Sequence, residues 1–533
     1  TSAWPEGPMG FGPVDRVLHS VHRRRGKLGT MNSSAVSAAV SLPGDAPGPE
    51  VFAARRHQVA QVVGGDAVLV VPAGVETPRN HDVDHEFRQA SQFWWLTGFA
   101  EPDAVLVLVP GHPEGDYQLF VRPRDPERET WDGYRAGVEG AMARFGADSA
   151  HPVGDLAERL PQLAVGRSRL LYRMGERLDS VVGGLIVGGR NLRDRLGDVT
   201  PTVVEDPTPM LDDLRLHKDA SDLASLRRSG LLAAEGHREA MRLARPGVTE
   251  RQLQGAMEWV WRAHGSPRNG YPSIVAGGAN ACVLHYTENA DVLADGDLVL
   301  IDAGCEMDMA SADITRTFPV NGRFTGPQRA VYEVALAAQH AALAAVRPGA
   351  TIRAPHDAAR TVIAEGLVDL GLIPAQVSVN DVLSMGLDAE FFMHGTSHWL
   401  GLDVHDAGSY RDGEAHRYLA ETMVLTVEPG IYVAPTKGEV TFKLHPHDRD
   451  AWARRRVELG AEAAKAAEDA ELAAAPDLVH TIPEEFLGIG IRIEDDVAVT
   501  TEGCEVLTGA VPTDPDDIET LCAEGPRWVT LPG

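Results

Sequence analysis

Cysteine is scarce in this chain: four residues, Cys282, Cys305, Cys504 and Cys522, stand among 533. None forms a CxxC pair, which excludes a zinc knuckle and a redox dithiol, and so few thiols suit a reducing cytosol. Long apolar runs are missing too, so no segment reads as a bilayer span. Basic charge is in deficit, with 49 Lys and Arg against 77 Asp and Glu and a formal charge of −28. That balance speaks against nucleic acid and anionic membrane surfaces as partners, since both reward a basic face. The basic cluster His22-Arg23-Arg24-Arg25-Gly26-Lys27 is followed by no apolar core and does not read as a secretory signal. What is present is ordinary globular composition, 44% hydrophobic and 24% charged, in a chain long enough for two or three domains.

Residues 1–50 are rich in Gly, Pro, Ser and Ala without periodicity and read as a disordered or extended segment. Residues 51–200 alternate short apolar runs, Ala67-Val68-Leu69-Val70-Val71 and Ala104-Val105-Leu106-Val107-Leu108-Val109, with helical stretches. That pattern predicts an α/β domain. Pro201, Pro207 and Pro209 mark a linker over residues 198–213. A second domain, 214–525, opens on a helix over 219–244 capped by Asp219 or Ser221, with further helices over 328–346 and 356–370. Its predicted strands cover 298–301, 314–320, 423–427 and 489–499.

Those strands carry an internal echo. Val299-Leu300-Ile301-Asp302-Ala303-Gly304 matches Leu425-Thr426-Val427-Glu428-Pro429-Gly430, each an apolar strand ending in a carboxylate. Each is followed by a second strand with another acid, Asp313 before Ile314 and Glu494 after Ile493. A strand ending in an acid is common by itself. Four such acids in matched hairpins are not, because burying an unpaired carboxylate costs about several kcal/mol. Between the hairpins, Phe391 to Asp406 holds His394, His398 and His405 among glycines and apolar residues. A lone histidine there would be a hydrogen-bonded core residue; three so close together point to a site.

Four carboxylates with imidazole are hard ligands with no thiolate in ligand spacing, a set that suits Mn²⁺ or Co²⁺ better than structural zinc. Four acids exceed the need of one ion and match two. A hydroxide held between two metals is a strong nucleophile at neutral pH. Cys282 and Cys305, near His285 and Asp302 in sequence, read as small buried hydrophobes.

Taken together these segments resemble the Xaa-Pro aminopeptidases (aminopeptidase P) of the creatinase and methionine aminopeptidase superfamily. The resemblance rests on Leu284-His285-Tyr286-Thr287-Glu288-Asn289, Leu300 to Gly304, Asp313-Ile314-Thr315-Arg316-Thr317, Met393 to Asp406, Val427 to Tyr432 and Gly488 to Asp496. It implies an α/β N-terminal domain followed by an α+β pita-bread catalytic domain. It also implies hydrolysis of the N-terminal Xaa-Pro bond of peptides by two divalent ions, Mn²⁺ with Co²⁺ or Zn²⁺ as alternatives. The implied metal ligands are Asp302, Asp313, His398, Glu428 and Glu494, with Asp313 and Glu494 bridging. Glu428 is also placed like a proton shuttle. His285, His394 and His405 are placed around the substrate, Arg492 beside Glu494 and the neighbouring acids, and Tyr432 near the substrate. In the N-terminal domain, Asp82 matches a position contributing to recognition of the substrate amino terminus, and Trp131 one that caps a neighbouring subunit's site. A cytoplasmic homo-oligomer, dimer or tetramer, is the corresponding expectation.

The chain departs from the shorter bacterial members by an insertion at 437–484, where residues 452–475 read as a polar-sided helix. Prolidase, confined to Xaa-Pro dipeptides, shares the same metal residues and is the nearest rival. A pita-bread protein that only binds would lose metal ligands, and none is lost here.

Overall fold

The all-apolar run Ala67–Pro72 becomes a wholly internal strand because it has no polar face to present to water. In the computed structural model, which describes residues 40, 42–445 and 449–531, this strand centres a six-stranded mixed sheet. The strand order is Ser149–Pro152, Tyr117–Val121, Val105–Leu108, Ala67–Pro72, Arg169–Leu171 and Val203–Glu205. Leu69 lies opposite Leu108 on the antiparallel side and opposite Leu171 on the parallel side. Alternate residues feed apolar clusters on both faces, one around Phe93 and Phe99, the other around Phe120 and Tyr172.

The stretch expected as a bare linker is partly ordered into elements. Val203–Glu205 forms the edge strand, and Thr208–Leu216 is a helix with proline in its first turn, where no intrahelical amide is lost. Of the segment 1–50, residues 1–39 lie outside the described residues. Pro43 and Asp45 offer their carbonyls to Arg228, and a helix starts at Pro49.

Helix Ala220–Leu243 opens on Asp219, whose side chain accepts from the amides of Ser221 and Asp222 in a capping box. The same two acids receive Arg55, only 3% exposed, from helix Pro49–Val63 at 2.9 and 2.7 Å. Beyond this helix the predicted hairpins appear. Leu298–Asp302 pairs antiparallel with Thr315–Pro319, and Val424–Val427 with Asp495–Val499. The run expected as one strand over 489–499 is two, Ile489–Arg492 and Asp495–Val499. The first pairs with Gly430–Val433 and the second with Val424–Val427, so the chain changes sheets at Ile493-Glu494. Fully buried Arg316 stabilises that change by donating to the Glu494 carbonyl and the Asp495 carboxylate, both at 2.6 Å.

The insertion leaves the sheet as a hairpin, Glu439–Lys443 against Asp477–Thr481. Its single expected helix is two, Arg449–Leu459 and Ala461–Ala474. Gly460 separates them with φ +82°, a conformation no helix contains. No helix among the described residues is long and apolar enough to cross a membrane.

One buried ion cluster fixes the histidine-bearing loop. Asp406 accepts Lys218 and Arg215 at 2.6 Å each, with all three side chains buried. Burial alone would raise the Asp406 carboxyl; the charges of Lys218 and Arg215 outweigh it and hold the group below its ordinary range. Asp406→Asn is therefore expected to destabilise the protein by about 3 kcal/mol at neutral pH, read as a lower urea midpoint. Because the folded value is depressed, this contribution is present above the unfolded carboxylate range and fades as pH falls through the folded value. The gap between wild type and variant should close in acid; a gap independent of pH would contradict the assignment.

Candidate metal centre

Each of the four acids sits where a strand ends. Asp302 terminates its strand opposite Thr315, and Asp313 lies two residues before Thr315. Glu428 follows Val424–Val427, and Glu494 occupies the sheet change, bridged to Thr315 across the halves. The turn after Asp302 must be tight. A Cβ on Gly304 would fall 1.7 Å from the Ala312 carbonyl oxygen, so only glycine lets the two acids lie side by side. The Tyr271 hydroxyl touches both, 2.6 Å from Asp302 Oδ1 and 2.5 Å from Asp313 Oδ1. Thr315 Oγ1 donates to Glu494 Oε2 at 2.6 Å and accepts from Arg492 Nε at 3.1 Å. Arg492 also pairs with Asp302 Oδ2 and donates to Tyr432 Oη at 3.0 Å.

The charge state is that of a cation site. Burial, then repulsion from neighbouring acids, pushes Glu494 well above its ordinary value. Burial likewise raises Asp302 and lifts Glu428 to about 7, against the pull of the nearby cations. Burial would also raise Asp313, but its contacts with His398 and Tyr271 leave it lowered. Burial opposes a proton on His398, yet Asp313 at 3.4 Å and Glu428 at 3.8 Å lift the imidazole to about 9. Four acids thus gather around one guanidinium and draw a proton onto the imidazole beside them. Carboxylate and imidazole atoms of Asp313, His398 and Glu494 lie within 4.8 Å of one another. Hard oxygen and nitrogen donors short of positive charge fit divalent cations.

These groups line a cleft of about 610 Å³. His285, His394 and His405 line it as well, the His405 ring 4.1 Å from that of His398. His394 shares its Nε2 with the Tyr432 hydroxyl at 2.8 Å, while its Nδ1 lies 3.6 Å from Glu428 Oε2. Burial, reinforced by the charge of Arg492, lowers His394 to about 4 and keeps it neutral.

The sequence profile of metallopeptidase family M24 matches residues 224–501, and that of the aminopeptidase P N-terminal domain matches residues 52–172. The chain belongs to family M24, in its aminopeptidase P branch. It is 38% identical over 472 residues to an Xaa-Pro aminopeptidase of Haemophilus influenzae, covering 89% of this chain and 97% of that one. The Escherichia coli Xaa-Pro aminopeptidase is also 38% identical, over 88% of this chain and 96% of its own. The solved structure of Pseudomonas aeruginosa aminopeptidase PepP superposes with a TM-score of 0.79 at 40% identity, covering 91% of this chain and 99% of that one. Zn-substituted E. coli aminopeptidase P in complex with product gives 0.78 at 36%, over 90% and 99%. The α/β domain and the α+β pita-bread domain are the architecture of this M24 branch.

In this M24 chain all five expected ligands converge on the cleft, with His285, His394, His405 and Arg492 beside them. Tyr432 stands behind His394, 1% exposed, with its hydroxyl held by His394 and Arg492. Asp82 is exposed beside the small hairpin Pro78–Asn80 and Val83–Asp84, and Trp131 is 83% exposed on helix Pro126–Asp132. Neither Asp82 nor Trp131 is among the residues lining the cleft of this single chain. Sequence reasoning missed Tyr271 and the part played by Thr315. The signal for Tyr271 is faint, a tyrosine between Gly270 and Pro272 ahead of strand Ile274–Gly277. Tyr271→Phe should leave folding intact and weaken divalent metal binding roughly 10- to 100-fold, because the hydroxyl orients two ligand carboxylates. Metal titration with the apo protein measures this; an unchanged dissociation constant would remove Tyr271 from the site.

Proposed function

We propose that the chain is a metal-dependent aminopeptidase that releases the first residue of peptides whose second residue is proline. The observation that carries the reading is the convergence of Asp302, Asp313, His398, Glu428 and Glu494 in one cleft of an M24 fold, with three further histidines around them. The Xaa-Pro aminopeptidases to which the chain is similar support it.

The five residues would hold two divalent ions, Mn²⁺ in our reading with Co²⁺ or Zn²⁺ as alternatives. Such ions supply Lewis-acid activation of water and of the scissile carbonyl. The chain's own groups do the rest. Arg492 holds Asp302 and Tyr432, so the acids keep their places whether or not substrate is present. His285, His394 and His405 face the cleft, where they orient the peptide carbonyl and close around the proline ring. Glu428 takes the proton released on attack and delivers it to the leaving nitrogen. That nitrogen, as at any peptide bond, must gain a proton before it departs as an amine, and Glu428 is placed to supply it.

Trp131 and Tyr134, 83% and 92% exposed, are large aromatics out of keeping with a solvated surface. We assign them to a contact between subunits of a homo-oligomer, with Asp82 near the substrate amino terminus. Four cysteines without a disulfide support a reducing, cytoplasmic setting.

Asp302→Asn and Glu494→Gln should each lower turnover roughly a thousandfold or more and bring bound metal below two ions per chain, with circular dichroism unchanged. Full activity in either variant, or wild-type turnover after thorough chelation, would contradict the assignment. Product analysis on Xaa-Pro peptides of two, three and more residues completes the test. Free N-terminal residue should appear from tripeptides and longer; activity confined to dipeptides would make the chain a prolidase.

A further inference from the structure

The cleft does not end at its histidines. His394, Gly395, Ser397 and Tyr410 line the metal cleft and also line a second cavity of about 820 Å³. Part of its lining is apolar, with Phe392, Leu383, Met385 and a Met393 left 46% exposed, beside Arg353, His356, His416 and the paired Arg360 and Asp388. On its far side stand His445 and Leu472, both contributed by the insertion.

That wall is fastened to the catalytic domain. Phe442 of the insertion hairpin is buried with its ring 6.4 Å from Phe391. At the root of the hairpin Lys437 pairs with Glu390 at 2.7 Å, and His480 bonds the Gly371 carbonyl at 2.8 Å. Within the insertion, His445 lies 3.8 Å from Glu471, next to Leu472. An excursion anchored at both strands and lining a cavity is positioned for contact with a ligand.

The reaction gives the direction of the occupant. Glu428, which delivers the proton to the leaving proline nitrogen, lies 3.6 Å from His394. With the leaving fragment on the His394 side, the residues after proline run toward the cavity that His394, Gly395 and Ser397 open onto. We propose that the insertion forms the far wall of a binding site for the residues that follow proline, and that it selects peptides of five or more residues bearing an apolar side chain beyond the proline. This rests on the aminopeptidase reading above. Binding of such remote groups accelerates cleavage when it helps to orient the scissile bond, and an apolar wall rewards an apolar side chain.

The test compares kcat/KM of the metal-loaded enzyme on Ala-Pro-Ala with that on hexapeptides beginning Ala-Pro and carrying leucine, or lysine, at the fourth, fifth or sixth place. Wild type should gain roughly tenfold from tripeptide to the best leucine hexapeptide, the scale of burying an apolar side chain. Leu472→Asp should abolish that gain and favour the lysine hexapeptide instead. Should Leu472→Asp not fold, Leu472→Ala carries the same comparison through lost contact area. An equal leucine gain in wild type and variant, or no gain with length in wild type, would overturn the proposal while tripeptide turnover leaves the aminopeptidase reading standing. Failure of the wild type to cleave even the tripeptide would overturn both.

Discussion

Four carboxylates converge in one cleft where the guanidinium of Arg492 answers them, and most of the local architecture follows from that imbalance. Isolated charges of one sign cannot be desolvated together without countercharge or hydrogen-bond donors. The donors are all supplied by side chains from other parts of the fold. Tyr271 serves Asp302 and Asp313, Thr315 serves Glu494, and Arg492 reaches Asp302. The strain extends one layer further back. Asp496, 1% exposed, accepts the Asp313 amide with one oxygen, and burial followed by the charge of Asp313 pushes it well above its ordinary value. A site so short of positive charge suits divalent cations.

The acids were legible in the sequence because they interrupt apolar strands, where a charge has no bland reason to be. The histidines were legible because they cluster in a stretch of sixteen residues, 391–406, too rich in glycine for a helix. What escaped was whatever depends on the third dimension alone. Tyr271 is 31 residues from Asp302 and 42 from Asp313, and nothing local announces that its hydroxyl bridges them. The sheet change at Glu494 was hidden for a related reason. Residues 489–499 read as one strand because Ile489, Ile491, Ile493, Val497 and Val499 recur at alternate positions through both halves, and only the pairing partners reveal that they belong to different sheets. The second domain's first helix, by contrast, was visible at its start, since a capping acid is a local signal.

The N-terminal domain reaches the histidine loop through polar contacts and through Leu402, which with Met309 joins the apolar cluster around Phe93 and Phe99. Ser91 donates to Asp403 at 2.6 Å, Arg88 contacts Asp403 and the Leu402 carbonyl, and Arg215 ties Asp403 to Asp406. His405 lies between those two acids in sequence and stacks near His398. The loop that brings His394, His398 and His405 to the cleft is thus held in part from the N-terminal domain.

The two acid-bearing hairpins are matched in pairing, yet their connections differ greatly in length. Only residues 303–314 join Leu298–Asp302 to Thr315–Pro319, whereas residues 428–494 join Val424–Val427 to Asp495–Val499 and include the entire excursion. The longer connection brings His445 and Leu472 to a second cavity that opens from the cleft, whereas the shorter one contributes only Asp313 to the lining of either space. The two ends of the cleft thus differ through loop length, although the strands that carry the acids are alike.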